Sequence, residues 1–143
     1  MGGQRNCTPI GTSYCVSTPN STGSPALMEA SGSNRVLANN LVLRAESVPA
    51  TQPGLFYYGA LQIQTPFGNG AQCFGGPSLA RLPVVQASAN GVLETAVDNT
   101  MPPSASTIIT PGSTWNFQAW FRDPAAGGAL FDLSDGYSIM FVL

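Results

Sequence analysis

Histidine and lysine are both missing from the 143 residues, and charged side chains of any kind make up only 8%, against roughly 25% in an ordinary globular domain. Without histidine, a Ser or Cys nucleophile has no usual base to take its proton. Without lysine, the Ser–Lys arrangement is excluded as well. Gly-x-Ser-x-Gly does not occur; Gly68-Asn69-Gly70 and Gly75-Gly76 contain no serine. Five arginines against seven acidic residues leave a net charge of −2, and no basic stripe exists. Binding to nucleic acid or to an anionic membrane surface through clustered cations is therefore not expected. No stretch approaches the roughly 18 apolar residues of a membrane span.

Cysteine is scarce: Cys7, Cys15 and Cys73. There is no Cys-x-x-Cys pair and no histidine to complete a zinc site. An odd number of thiols in an exported chain leaves one over. The opening Met1–Cys7 lacks the apolar core of a signal peptide. Low charge with abundant Ser, Thr and turn residues suits extracellular β proteins, so the expectation is a secreted chain whose leader has been removed.

What is present is a series of short apolar stretches separated by Gly, Pro, Asn and Ser. Residues 1–25 read as an irregular arm with at most a short strand near Tyr14–Val16. From Ala26 onward, strands are expected over Ala26–Ala30, Leu41–Glu46, Gly54–Gln64, Leu79–Val85, Gly91–Val97, Thr107–Thr110, Ser113–Arg122 and Tyr137–Leu143. Pro83 marks an edge or a bulge. Leu41, Leu43 and Ala45 alternate with Val42, Arg44 and Glu46, giving one apolar and one polar face. No window of helical length carries a 3.6-residue period uninterrupted by Gly or Pro. The expected fold is all-β: an antiparallel β-sandwich of eight or nine short strands, jelly-roll or Ig-like, formed by residues 26–143.

The seven carboxylates are Glu29, Glu46, Glu94, Asp98, Asp123, Asp132 and Asp135. Glu46 and Glu94 fall on polar strand faces. Asp98, Asp123 and Asp135 stand beside turn residues, where they cap backbone groups. Asp132-Leu133-Ser134-Asp135-Gly136 reads as a hairpin turn with Gly136 at positive φ. As a calcium loop it supplies too few of the six to eight oxygens required, unless Asp123 or backbone carbonyls add to it. No metal and no cofactor is assigned. Arg122-Asp123-Pro124 reads as an ion pair or a turn at a strand end. Asn6-Cys7-Thr8 and Asn20-Ser21-Thr22 fit the N-glycosylation triplet and are taken as chance matches.

The aromatic residues are the most suggestive feature. Alternation sets Phe56 and Tyr58 against Tyr57, and Trp115 and Phe117 against Trp120. The four rings Tyr57, Tyr58, Trp115 and Trp120 therefore cannot all face one core. At least one is expected outside it as a contact surface, with Arg122 and Asp123 beside it to bond a ligand's hydroxyls. The competing reading is that a loop or the arm covers the second face and buries every ring.

Several segments resemble an uncharacterised module of secreted proteins from planctomycete-type and other environmental bacteria. They are Cys15 to Ser21, Phe67-Gly68-Asn69-Gly70-Ala71-Gln72-Cys73-Phe74-Gly75-Gly76, Trp120-Phe121-Arg122-Asp123-Pro124 and Phe131-Asp132-Leu133-Ser134-Asp135-Gly136. The resemblance covers nearly the whole chain from Tyr14. It implies export and a single β domain, and it assigns no catalytic residue. Members of this type often carry a second cysteine pair. Here Ala119 stands at the first of those positions and the following loop has no cysteine, so the resemblance implies that Cys15 pairs with Cys73 and that Cys7 is left over. The functional expectation is a non-catalytic module that attaches an exported protein to polysaccharide or the cell envelope. The rival is a structural subunit of an extracellular fibre or sheath, suggested by low charge and the apolar end Ile139–Leu143.

Overall fold

The computed structural model describes residues 9–143, so Cys7 and the Asn6 triplet lie outside the described residues. Nine strands occur among the described residues: β1 (Thr12–Tyr14), β2 (Leu27–Ser31), β3 (Val42–Glu46), β4 (Pro53–Phe67), β5 (Gly70–Arg81), β6 (Val85–Gln86), β7 (Val92–Ala96), β8 (Thr114–Arg122) and β9 (Phe131–Met140). They form two antiparallel sheets. The larger runs β1-β9-β8-β4-β5, with β6 also pairing β4; the smaller runs β2-β3-β7. The chain is an all-β sandwich.

Period-two alternation decides which side chains meet between the sheets. The small sheet contributes Met28, Leu43, Ala45 and Leu93; the large sheet contributes Phe56, Tyr58, Phe117, Ala119, Phe121 and Ile139. All are buried. The outward face of the small sheet is charged. Register places Glu29 and Glu94 on either side of Arg44, and Arg44 also pairs with Glu46 at 3.0 Å.

The long hairpin of β4 and β5 gives the large sheet its shape. Its register shifts between Gly59 and Leu61 and again between Gln62 and Thr65. Such bulges bend a strand, and the hairpin folds back over the outer face of β8 and β9. The two edge strands thereby meet. Cys15, just after β1, is disulfide-bonded to Cys73 in β5, and the Tyr14 hydroxyl donates to the Cys73 carbonyl at 2.6 Å. Glycine makes the close approach possible: a Cβ on Gly136 would fall 2.4 Å from the Tyr14 ring, and one on Gly59 would fall 2.6 Å from the Gly75 carbonyl.

Several local expectations change. Thr12–Tyr14 of the arm forms edge strand β1, paired with β9. Thr107–Thr110 is not a strand; Ala105–Thr107 is a 3-10 turn, and the buried Tyr58 hydroxyl donates to the Thr107 carbonyl at 2.7 Å. Asp132–Gly136 is not a hairpin turn but the interior of β9, and Gly136 is not among the glycines with positive φ. Its polar side chains are satisfied within the sandwich. Asp135 accepts from the Met28 N–H at 2.7 Å, which latches the small sheet to the large one. Ser134 accepts from the Ala119 N–H at 2.9 Å, where β8 and β9 slip register.

Candidate functional site

The structure divides the four singled-out rings between the two faces of the large sheet. Tyr58 is 1% exposed and Trp115 is 8% exposed; they meet edge to face at 5.2 Å inside the core. Neither can contact a ligand, because β4 and β8 point them at the small sheet. Asp123 is also removed from the proposed site: it is fully buried, and its Oδ2 accepts from the Ser21 N–H at 2.9 Å. It holds the N-terminal segment down. Of the two expectations for Arg122-Asp123-Pro124, the turn at the strand end is found, with Pro124–Ala126 forming a 3-10 turn after Asp123; among the described residues the ion pair is not. Asn20 is buried too, with its amide donating to the Ser47 carbonyl at 2.8 Å; the side-chain nitrogen that would carry a glycan is thus occupied.

Tyr57 and Trp120 alternate onto the outer face and are only half-buried. The folded-over hairpin covers this face at Asn116 and Gln118, and its tip reaches Phe131 and Gly127, but it leaves Trp120 partly exposed. Under the cover the side chains are polar. Gln118 accepts from the Cys73 N–H at 2.8 Å and donates to the Ser134 carbonyl at 2.6 Å. Asn116 donates to the Gly59 carbonyl at 3.2 Å. Beyond the cover, rings take over. Trp120 stacks against Phe131 at 5.3 Å, Phe131 meets Phe67 at 5.1 Å, and Tyr57 leans on the buried Phe74 at 4.9 Å.

These residues line an open groove of about 360 Å³ walled by Leu55, Tyr57, Phe67, Arg81, Trp120 and Phe131. A second recess of about 190 Å³ lies on the other side of the Trp120–Phe131 pair, walled also by Arg122, Ala129 and Leu130. Sequence reasoning placed Tyr57, Trp120 and Arg122 here. It missed Phe67, Phe131 and Arg81, which come from a hairpin tip, the start of β9 and the end of β5. Arg81 is brought in by register, directly across from Tyr57. Partial burial pushes the Tyr57 hydroxyl above its ordinary pKa, and Arg81 opposes that rise, so Tyr57 stays a neutral donor and acceptor at neutral pH.

The other hollows offer less chemistry. One, more enclosed than the groove and about 160 Å³, lies between Tyr58, Leu82, Pro103 and Ile109. Of its polar neighbours, Asp98 accepts from the Thr100 N–H at 2.9 Å, and Asn99 donates to the Val36 carbonyl at 3.3 Å. Asp98 is thus engaged in a local turn, whereas Asn99 bonds across to the loop before β3 and leaves its buried Oδ1 without a partner among the described residues. Among the described residues, no three His, Cys, Asp or Glu side chains gather as a metal site would need. Asp132 and Asp135 lie apart in function: Asp132 accepts from the Leu133 N–H, while Asp135 ties β9 to β2.

No protein-family model matches the chain, and neither a curated protein nor a solved structure does.

Proposed function

We propose that the chain is a non-catalytic contact module, exported from the cell, that attaches the protein carrying it to polysaccharide or cell-envelope material through the groove between Tyr57 and Phe131. The observation that supports this reading is the line of rings Tyr57, Trp120, Phe131 and Phe67 left open where the hairpin cover ends. A sugar ring presents C–H bonds on one face and hydroxyls at its edge. An aromatic face takes up the first, while arginine and tyrosine bond the second. Large apolar surfaces with a few convergent polar groups mark contact sites in general. The Cys15–Cys73 bond fits an oxidising compartment.

The reading is tested by retention on insoluble and soluble polysaccharides, comparing Trp120→Ala with Trp115→Ala. Trp120→Ala is expected to lose retention and keep its melting temperature within a few degrees. Trp115→Ala is expected to destabilise the fold by about 3–5 kcal/mol. Retention untouched by Trp120→Ala would sink the proposal.

A structural-subunit reading is favoured by a different observation: Leu61 and Leu79 on the β4–β5 hairpin are about half exposed (54% and 48%). Concentration-dependent assembly in sedimentation, lost on Leu61→Ser, would favour it over attachment.

A further inference from the structure

The groove carries an excess of positive charge in a chain whose net charge is negative. All three glutamates are spent on one arginine, Arg44, on the far sheet. Asp98 is held in a turn by Thr100 and Asn39. Asp123, Asp132 and Asp135 are buried, and burial pushes the carboxyls of Asp132 and Asp135 toward the neutral form. Arg35 bonds the Leu143 carbonyl. Of the arginines among the described residues, Arg81 and Arg122 remain: both are exposed, and neither forms an ion pair there. They stand on either side of the Trp120–Phe131 pair, Arg81 in the larger groove and Arg122 in the adjoining recess.

Building on the attachment reading, we infer that the ligand is an acidic polysaccharide. The shared Trp120–Phe131 wall separates two subsites, each offering an aromatic face and one arginine fork. A neutral sugar uses the rings and leaves both guanidinium groups merely solvated. A sugar bearing a carboxylate or sulfate uses both features, because the planar guanidinium can bond two anionic oxygens at once. Two arginines in adjoining subsites suit a polymer with charge on successive residues. A nucleic acid strand also combines rings with anions, but two cations with no flanking basic track fall short of what backbone neutralisation needs.

The test compares the full chain with Arg81→Gln and Arg122→Gln, both surface changes, by affinity electrophoresis in gels. The gels contain polygalacturonate, its methyl-esterified form, dextran sulfate or poly(dT). Retention by polygalacturonate above the esterified form, with each substitution weakening binding about tenfold, is the expected result. The same pattern with dextran sulfate alone would support the inference and identify sulfate as the anion. Equal retention on charged and esterified polymer, unchanged by either substitution, would overturn the inference and leave the sugar platform standing. Strong retention by poly(dT) alone would overturn it in favour of a nucleic acid. No retention on any polymer would overturn both readings.

Discussion

On β8, the side chains that face inward (Trp115, Phe117, Ala119 and Phe121) and two that face outward (Asn116 and Gln118) are equally hidden from solvent. They are hidden by different physics. The inward set lies against the small sheet as an apolar layer, stabilised by area removed from water. The outward pair lies beneath a folded-over hairpin whose backbone comes close enough to be hydrogen-bonded side chain by side chain. Glycines at 59, 75 and 136 allow that approach, and a covalent bond holds it. An apolar layer tolerates a swap of shape, whereas a buried polar layer needs every partner present, because each orphaned group keeps its full desolvation cost. The third part of the outer face, at Trp120, receives neither treatment and is left open.

The comparison can be broken first on the inward side. Phe117→Ala removes a fully buried ring and is expected to cost about 3–5 kcal/mol in denaturant unfolding. Phe117→Leu should recover most of that. If both cost the same, the inner face is not behaving as an apolar layer. Next comes the fastening of the hairpin. The Cys15–Cys73 bond spans 58 residues, so its removal by Cys15→Ser with Cys73→Ser is expected to cost about 2–4 kcal/mol. Hydrogen exchange should rise in β5 and β1 before it rises in β3. The polar layer is tested by Gln118→Leu, close in volume but unable to bond. It leaves the Cys73 N–H and the Ser134 carbonyl unpaired, for an expected loss of about 1–3 kcal/mol. A neutral or stabilising result would show that the covered face needs no bonding.

The smallest effect is read from pH. Burial holds the carboxyls of Asp132 and Asp135 above their ordinary range. The native state therefore keeps protons that the unfolded chain releases near pH 4. Where the native state binds more protons, stability falls as pH rises, so the melting temperature should climb on acidification from neutrality toward about pH 4. Asp98 has the opposite sign: its bonds to Thr100 and Asn39 hold it below its ordinary range, and what it contributes is lost only at pH below that window. Asp132→Asn should flatten the rise. An unchanged slope would remove Asp132 from the account.

Much of the inner face was legible in the sequence, because it follows from alternation alone. Leu41, Leu43 and Ala45 are buried where the pattern put them, and Phe56 and Tyr58 lie opposite Tyr57. The division of the four rings also followed from alternation, which is why Tyr57 and Trp120 were found. The outer face was harder to read. The segment from Phe67 to Gly76 is glycine-rich, and glycine is depleted in strands. Here it is present because another strand passes directly above. Asp132 to Gly136 looks like a turn because its side chains are turn formers; the Met28 and Ala119 amides that satisfy them lie 107 and 15 residues away. Phe131 and Phe67 give no signal of their own. Phe131 reaches Trp120 through the pairing of β8 with β9, whereas Phe67 joins them only once the hairpin has folded over, and a fold-back set by two bulges has no periodicity to detect.

The bond between the two edge strands changes how this fold would yield under tension. A pull entering through the chain before Cys15 meets first the three residue pairs of β1 with β9, because β1 precedes Cys15. Once those pairs have parted, it crosses the sulfur bridge into β5. Even if the sandwich opens, the 58-residue span between the bridged cysteines stays out of the load path. Roughly 200 Å of contour length is withheld from extension. Tyr57 and Phe67 lie inside that withheld span, so half the groove belongs to the part of the chain that cannot be drawn out straight.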